Sequence, residues 1–285
     1  MATRFNSWDS YFWEPGGPVL RNLYGLRDGA DLSRREYAET NAQQFDIERG
    51  AISIPRTYDA EHLRTIHREL FKNVYEWAGE YRSVGLFKPP LEFAQPEDIG
   101  RYLADASRLV RGAEWAGMDR QQFAAAAADV FAHVNQAHPF REGNGRAGKL
   151  FMQQVSELSG FKLDYSPERT GITAEVWNNA SAMSRPDIGS YRPVPDSLVP
   201  VFERLAVPRA RERTYEAGRA TSAPDEKEPP SLERRLDDKL HELRSRRDAS
   251  YPKPATDATR TAPELGDAAQ PYRPRGDRGR GIGGR

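Results

Sequence analysis

Apolar residues recur at three- and four-residue intervals in several stretches of the chain, which is the spacing of an amphipathic helix. Residues 62–80 show this spacing most clearly, and Gly79 is placed to end the helix. Residues 97–112 repeat it, with Ile99 and Leu103 among the positions that would face a core. The pattern therefore predicts a mainly helical protein.

Other stretches favour helix by composition. Residues 31–48 are polar but rich in helix formers, and Ser33 with Glu36 matches a capping box. An alanine run at 124–128 precedes a helical spacing of apolar residues. After an interruption by proline and glycines, a further helix is predicted from about Asn144.

Residues 81–97 break the helical pattern. Positions 83–87 and 91–93 are strand-like, and the lysine and two prolines at 88–90 between them are typical of a turn. The pattern predicts an isolated β-hairpin beside the helices, with a surface loop as the alternative.

The composition changes near residue 207. We expect one folded domain over residues 1–206 and a charged, proline- and arginine-rich tail over 207–285 that is largely disordered. The last thirteen residues hold five arginines and one aspartate. A solvated tail, a contact with nucleic acid and a recognition signal for secretion are the alternatives for this basic end.

The composition limits the partners, the chemistry and the cellular location that can be expected. The chain of 285 residues has equal numbers of basic and acidic residues, so no overall attraction to nucleic acid is expected. It lacks cysteine, which excludes disulfides and thiol catalysis. No apolar run is long enough to span a bilayer, and the start lacks a signal region. We expect a cytoplasmic protein that has no membrane partner.

Residues 138–149 concentrate the candidate chemistry: a histidine, a glutamate, an asparagine, three glycines and several cations. The glycines fit both G-x-x-x-x-G-K and G-x-G-x-x-G, but Leu150 stands where a phosphate loop needs Ser or Thr. Both motifs also require a buried strand immediately before them, and the preceding residues have helical spacing. Neither motif is therefore favoured.

A helix-loop-helix anion site fits this stretch better. Free N–H groups at the start of the helix from Asn144 would favour a phosphate. Arg146 and Lys149 lie three residues apart in the first turns, so we expect them on one face. Cations at a helix N-terminus oppose its dipole, and an anionic partner would account for them.

The run His138-Pro139-Phe140-Arg141-Glu142-Gly143-Asn144-Gly145-Arg146 resembles the signature of Fic-domain proteins, which mostly transfer AMP from ATP to a protein hydroxyl. Residues 18–26 and 67–82 resemble other parts of bacterial Fic toxins. The resemblance covers about residues 15–205. It implies an all-α Fic fold whose hairpin, at about 81–97, is a flap that docks the target by strand pairing.

The resemblance and the residue types together assign roles in a site. His138 is the catalytic base, and Glu142 is the ligand for Mg²⁺. The predicted ATP-binding groups are Gly143, Asn144, Gly145, Arg146 and Lys149. The predicted target-docking residues of the flap are Leu86, Phe87 and Lys88. We further expect Phe140 to anchor the loop in the core and Arg141 to face solvent.

Two signature positions bear on the donor. Relatives of the Doc type, which move a phosphoryl group, have lysine where this chain has Gly145, so AMP transfer is favoured. The family usually ends the signature with arginine, whereas Lys149 offers a point charge without a planar fork.

The resemblance implies a nucleotidyltransferase that modifies a Tyr, Thr or Ser hydroxyl of a target protein, as a bacterial toxin or effector. The alternatives are transfer of another phosphate-containing group, or a weak Fic fold that serves as a binding module.

Many Fic enzymes are inhibited by a glutamate in the pattern [ST]-x-x-x-E-[GN]. Three partial matches begin at Thr57, Thr65 and Ser222, and none is complete. The resemblance therefore predicts a separate small antitoxin that supplies the glutamate and contacts Lys149. It also allows secretion into a host or recipient cell, since Fic effectors moved by conjugation-type systems carry basic tails.

Overall fold

The computed structural model describes residues 4–88 and 91–209, and within them the chain is mainly helical. The α-helices there are α1 (Gly29–Glu48), α2 (Ala60–Phe71), α3 (Ile99–Gly112), α4 (Arg120–Ala137), α5 (Asn144–Val155), α6 (Pro167–Thr170), α7 (Ala174–Met183) and α8 (Val199–Leu205). The strands are β1 (Phe87–Lys88), β2 (Leu91–Glu92), β3 (Phe161–Leu163) and β4 (Ala206–Pro208). The predicted fold class, all-α with a small hairpin, is confirmed.

Helix α4 is the centre of the fold. It packs against α3, α5 and α8, and buried alanines such as Ala124 and Ala128 let these neighbours approach closely. Asp119 begins the helix with a capping box, in which its carboxylate accepts from the Gln122 N–H at 2.9 Å. The C-terminus of α4 leads directly into the candidate site.

The prediction of one helix over residues 62–80 is wrong in its length. Helix α2 ends at Phe71, and the chain continues through turns before Gly79. Val74 and Trp77 remain buried because these turns keep them against the core. The helical spacing of apolar residues therefore continues beyond the end of the helix. Gly79 has φ +80° and donates its N–H to His67 Nδ1 at 2.9 Å, which folds the segment back onto α2.

The capping box predicted at Ser33 and Glu36 is also wrong. Helix α1 begins at Gly29, where the side chain of Asp28 accepts from the Asp31 N–H at 2.9 Å. Glu36 therefore lies inside the helix, beyond its first two turns, and only 5% of it is exposed. Its buried carboxylate has a different use, in the site described below.

The hairpin prediction is confirmed, in a shorter form than the strand-like run. Strands β1 and β2 are antiparallel, with Phe87 opposite Glu92 and Lys88 opposite Leu91. The sequence pattern did not reveal a second antiparallel pair, β3 with β4, in which Leu163 lies opposite Ala206. Three-residue strands separated by some forty positions leave too little periodicity to detect.

The proposed boundary at residue 206 falls inside β4, and most of the predicted tail, residues 210–285, lies outside the described residues. Among residues 4–88 and 91–209, no helix combines the length and apolar character needed to cross a membrane.

Candidate active site

A short loop between α4 and α5 holds the candidate base and the candidate phosphate site together. His138 is the residue after α4 and has left-handed backbone angles, φ 38° and ψ 58°. Gly143 is the residue before α5 and is also left-handed. The two reversals place the C-terminus of one helix beside the N-terminus of the next, as the helix-loop-helix prediction required.

Gly143 cannot be replaced without moving its surroundings. Its φ is +79°, and a Cβ atom at this position would lie 2.3 Å from the ring of Phe71. The glycine therefore lets α2 approach the loop while the backbone makes a turn that L side chains avoid. Its role is at least partly to pack the loop.

Phe140 anchors the loop as predicted. It is fully buried, and its ring stacks on that of His67 with 3.7 Å between centroids. Asn144 binds both backbone groups of Phe140: its amide donates to the carbonyl at 2.7 Å, and its oxygen accepts from the N–H at 2.9 Å. The side chain of Asn144 thus holds the loop closed.

His67 connects α2 to the signature loop by hydrogen bonds. Its Nδ1 accepts from Gly79, so its Nε2 is the protonated nitrogen, which donates to the Glu142 carbonyl at 3.0 Å. Burial lowers the pKa of His67 to about 3, so the ring is neutral at physiological pH. His67 therefore stabilises the loop as a buried, neutral hydrogen-bonding residue.

The prediction that Arg141 faces solvent is wrong. Only 9% of Arg141 is exposed, and its guanidinium lies 4.1 Å from the ring centroid of Trp8 and 5.1 Å from that of Phe12. Burial is the main reason that the pKa of Arg141 lies below its usual value. The aromatic N-terminal segment thus covers the outer side of the loop through cation–π contacts.

His138 packs against the base of the hairpin. Its ring stacks on Phe93 with 3.8 Å between centroids and 22° between planes. Phe93 follows β2 directly, so the candidate base contacts the residue immediately after the candidate target-docking strand pair.

Arg146 lies in an ionic environment. Its guanidinium pairs with the carboxylate of Glu36 on α1, donates to Thr40 at 3.2 Å, and lies 3.7 Å from Glu142. Burial alone would lower the pKa of Arg146, but the carboxylates of Glu36 and Glu142 overcome it, and its pKa lies above the usual value. Arg146 therefore stays charged.

Lys149 lies among aromatic rings. Its ammonium nitrogen is 5.0 Å from the centroid of Trp177 and 5.3 Å from that of Tyr165, and only 7% of the residue is exposed. Burial lowers the pKa of Lys149 to about 8. Lys149 lies three residues after Arg146 on α5, but the two side chains contact different neighbours.

Glu142 is the carboxylate of the loop and its side chain is 46% exposed. Its Oε1 accepts from the Gly143 N–H at 3.0 Å, which aims the carboxylate toward the start of α5. Within residues 4–88 and 91–209, no cluster of three or more His, Cys, Asp or Glu side chains could hold a metal alone. One exposed carboxylate does fit Mg²⁺ when nucleotide phosphates supply the other oxygens.

The three predicted flap residues differ in position. Phe87 and Lys88 form β1, which offers backbone groups for pairing. Leu86 precedes the strand and is 5% exposed, so its side chain belongs to the core.

Sequence reasoning missed Glu36 and Phe93 as parts of the site. A buried acidic residue on an otherwise polar helix gives no periodic signal. Its partner Arg146 lies 110 positions away, so only the folded chain brings the two together.

Known proteins share this architecture. The sequence model of the Fic/DOC family matches residues 57–156, which include the whole signature. The protein adenylyltransferase VbhT of Bartonella schoenbuchensis is 35% identical over 61% of this chain, which spans only 37% of the length of VbhT. The probable protein adenylyltransferase Fic of Escherichia coli is 30% identical over 64% of this chain and 87% of its own length.

Solved structures agree with the sequence relatives. The BepC protein of Bartonella tribocorum, a VirB-translocated effector solved with bound AMPPNP, superposes with a TM-score of 0.59. The match has 27% identity and covers 68% of this chain and 95% of BepC. The signature loop, the helical core with its small hairpin and these similarities agree, and the chain belongs to the Fic/DOC family.

Proposed function

We propose that this chain transfers AMP from ATP to a hydroxyl side chain of a target protein. The observation that carries the proposal is the loop in which His138 follows α4 and Gly143 precedes α5, the helix whose first turns carry Arg146 and Lys149. The relatives named as protein adenylyltransferases, and BepC with its bound ATP analogue, support the same reaction.

In this mechanism His138 is the general base. The target hydroxyl oxygen attacks the α-phosphorus of ATP, the bond from that phosphorus to the bridging oxygen breaks, and pyrophosphate leaves. The hydroxyl proton passes to the imidazole of His138, the side chain type that most often acts as a general base. The stacking of His138 on Phe93 limits its rotation and so keeps the base oriented.

The start of α5 would bind the phosphates. Backbone N–H groups of Asn144 and Gly145 are suited to an anion at a helix N-terminus, whereas that of Gly143 donates to Glu142. Because the Asn144 side chain is engaged by Phe140, we assign its α-phosphate contact chiefly to its backbone N–H. Arg146 would contact the β-phosphate and Lys149 the terminal one.

Glu142 would hold Mg²⁺ together with oxygens of the phosphates. The bound ion would neutralise charge that develops on the phosphates during transfer. The Gly143 N–H that now donates to Glu142 would keep the carboxylate oriented for that ligand.

The hairpin would dock the target. A peptide that pairs with the free edge of β1, at Phe87 and Lys88, would lie one strand away from Phe93, the residue that stacks on His138. Leu86 would contribute through its backbone, since its side chain is buried. Such pairing aligns a hydroxyl residue with little demand on the surrounding target sequence.

The reaction can be tested by giving the purified chain and Mg²⁺ to a bacterial lysate with ATP labelled in the α- or the γ-phosphate. AMP transfer requires protein labelling from α-labelled ATP alone, and mass spectrometry should find AMP on Tyr, Thr or Ser. Labelling from the γ-phosphate would replace the proposal with phosphoryl transfer. No labelling, together with retained ATP binding, would favour a binding module.

We further propose an effector or toxin held inactive by a small partner that places a glutamate against Lys149, the buried cation of α5. Secretion is consistent with the VirB-translocated relative, and nucleic-acid contact by the tail is the other candidate for that region. Normal growth of a host that makes the active protein alone, without any small co-encoded binding partner, would contradict inhibition in trans.

A further inference from the structure

One buried arginine joins the candidate base to the hairpin. The guanidinium of Arg82 donates to the carbonyl oxygens of His138 at 2.8 Å and Ala137 at 3.2 Å. It also donates to those of Val84 at 2.8 Å and Ala94 at 2.5 Å. Only 2% of Arg82 is exposed, and none of the ion pairs found in residues 4–88 and 91–209 includes it.

The first pair of carbonyls belongs to the C-terminus of α4. The last carbonyls of a helix lack intrahelical partners and carry the negative end of the helix dipole, so a cation there is favoured. His138 follows this end in a left-handed conformation that non-glycine residues rarely adopt. The backbone N–H of Arg82 also donates to Pro139 at 2.8 Å, so Arg82 holds the backbone on both sides of His138.

The second pair of carbonyls flanks the hairpin, since Val84 precedes β1 and Ala94 follows β2. Two further hydrogen bonds also connect the last turn of α4 to the hairpin region. Gln136 donates its side chain to the Glu92 carbonyl at 3.2 Å, and its own carbonyl accepts from Ala94 at 2.9 Å. The base of the hairpin is therefore fastened to the last turn of α4, with Arg82 as the group that contacts both sides.

We infer that Arg82 is a positioning residue that holds the imidazole of His138 and the target-docking hairpin in one fixed geometry. A target hydroxyl that enters by pairing with β1 would then meet the base already in place. This inference rests on the proposed function, because it gives the hairpin and His138 their roles from that proposal. The proposed phosphate-binding groups are at 142–149. None of them accepts a hydrogen bond from the Arg82 side chain.

A planar fork is what this arrangement requires. The guanidinium presents its N–H groups in several fixed directions, whereas an ammonium is a compact point charge on a flexible stem. Burial lowers the pKa of Arg82 to about 10, so it remains charged at neutral pH. A lysine would keep the charge at the helix end but could not satisfy four carbonyls across two elements.

Arg82→Lys in the full chain tests the inference, with Arg64→Lys as the matched control. Arg64 also donates to a backbone carbonyl, that of Gly79 at 3.2 Å, but contacts neither the hairpin nor α4. Three quantities are compared: amide hydrogen exchange across 84–94, affinity for AMPPNP with Mg²⁺, and protein labelling by α-labelled ATP at saturating nucleotide. Arg82→Met, which removes the charge, provides a second measurement on the same site.

We expect Arg82→Lys to speed exchange in the hairpin by about tenfold, as the loss of charged hydrogen bonds implies, while exchange in α3 stays unchanged. AMPPNP affinity should stay within about twofold, and labelling should fall by roughly tenfold or more. Arg82→Met should show the same split with a larger loss, and Arg64→Lys should match wild type.

Hairpin exchange and labelling that match the Arg64→Lys control would overturn the inference. So would a uniform rise in exchange accompanied by equal loss of nucleotide affinity, which would indicate general destabilisation. If wild type transfers no AMP, the proposed function fails on that result alone. Hairpin exchange then still decides whether Arg82 holds the two elements together.

Discussion

The two cations of the signature helix lie three residues apart and have opposite surroundings. Arg146 is held by carboxylates of Glu36 and Glu142 and by the Thr40 hydroxyl. Lys149 is held between the rings of Trp177 and Tyr165. The pKa of Arg146 is raised above its usual value, whereas burial lowers that of Lys149 to about 8.

Neighbouring positions of one helix thus hold two cations whose pKa values are shifted in opposite directions by their surroundings. The Glu36 carboxylate on α1 compensates the charge of Arg146 and fixes the direction of its guanidinium. Aromatic rings surround Lys149 and burial lowers its pKa, so bound phosphates would favour its charged form. We therefore expect Arg146 to hold the nucleotide in position. We expect the charge of Lys149 to depend on whether a nucleotide is bound.

The largest expected effect comes from removing the carboxylate beside Arg146. Glu36→Gln should lower the free energy of unfolding by about 3 kcal/mol, because it leaves a buried cation with a weaker partner. Chemical denaturation of the purified variant measures this loss.

Glu39→Gln is the matched control on the same helix, since Glu39 pairs with the half-exposed Arg35 at 3.7 Å. It should cost less than about 1 kcal/mol. Equal losses for the two variants would mean that the Arg146 environment is not specially ionic.

A smaller effect is expected from pH at Lys149. Its folded pKa of about 8 lies below the usual lysine value of 10.5, so between these values the unfolded state binds more protons and stability rises with pH. Between about pH 7 and pH 9.5, the free energy of unfolding of wild type should rise by about 2 kcal/mol relative to that of Lys149→Met, whose side chain cannot titrate. Denaturation of both proteins at the two pH values measures the gain, and a constant difference between them would show that Lys149 titrates normally.

The smallest effect is expected from restoring the fork at position 149. Lys149→Arg should strengthen binding of Mg²⁺-ATP by about 1 kcal/mol, roughly fivefold, through paired hydrogen bonds and stacking on Trp177. Isothermal calorimetry of both proteins gives the affinities. A fall in both ATP affinity and AMP transfer would instead indicate that lysine suits a different donor.

Local sequence was enough to locate the loop, since His138, Gly143 and Asn144 mark the ends of two helices within a few positions. The hairpin also followed from local pattern. Tertiary contacts decided the rest: the ring of Phe71 requires Gly143, and Trp8 draws Arg141 away from solvent. The end of α2 was missed because its turns keep helical spacing in their buried residues.

The partners of the two cations illustrate the same limit. Arg146 and Lys149 look alike in sequence, but Glu36 and Trp177 come from helices that precede and follow the signature by many residues. Nothing in the spacing of the cations themselves indicates which will meet a carboxylate and which will meet a ring.

The most direct measurement is the rate of AMP transfer from α-labelled ATP by wild type and by His138→Ala, with nucleotide affinity measured alongside. Removal of the base should lower the rate by at least ~10²-fold while ATP binding persists, since the phosphate-binding groups are untouched. Transfer by His138→Ala at a rate near that of wild type would contradict the account.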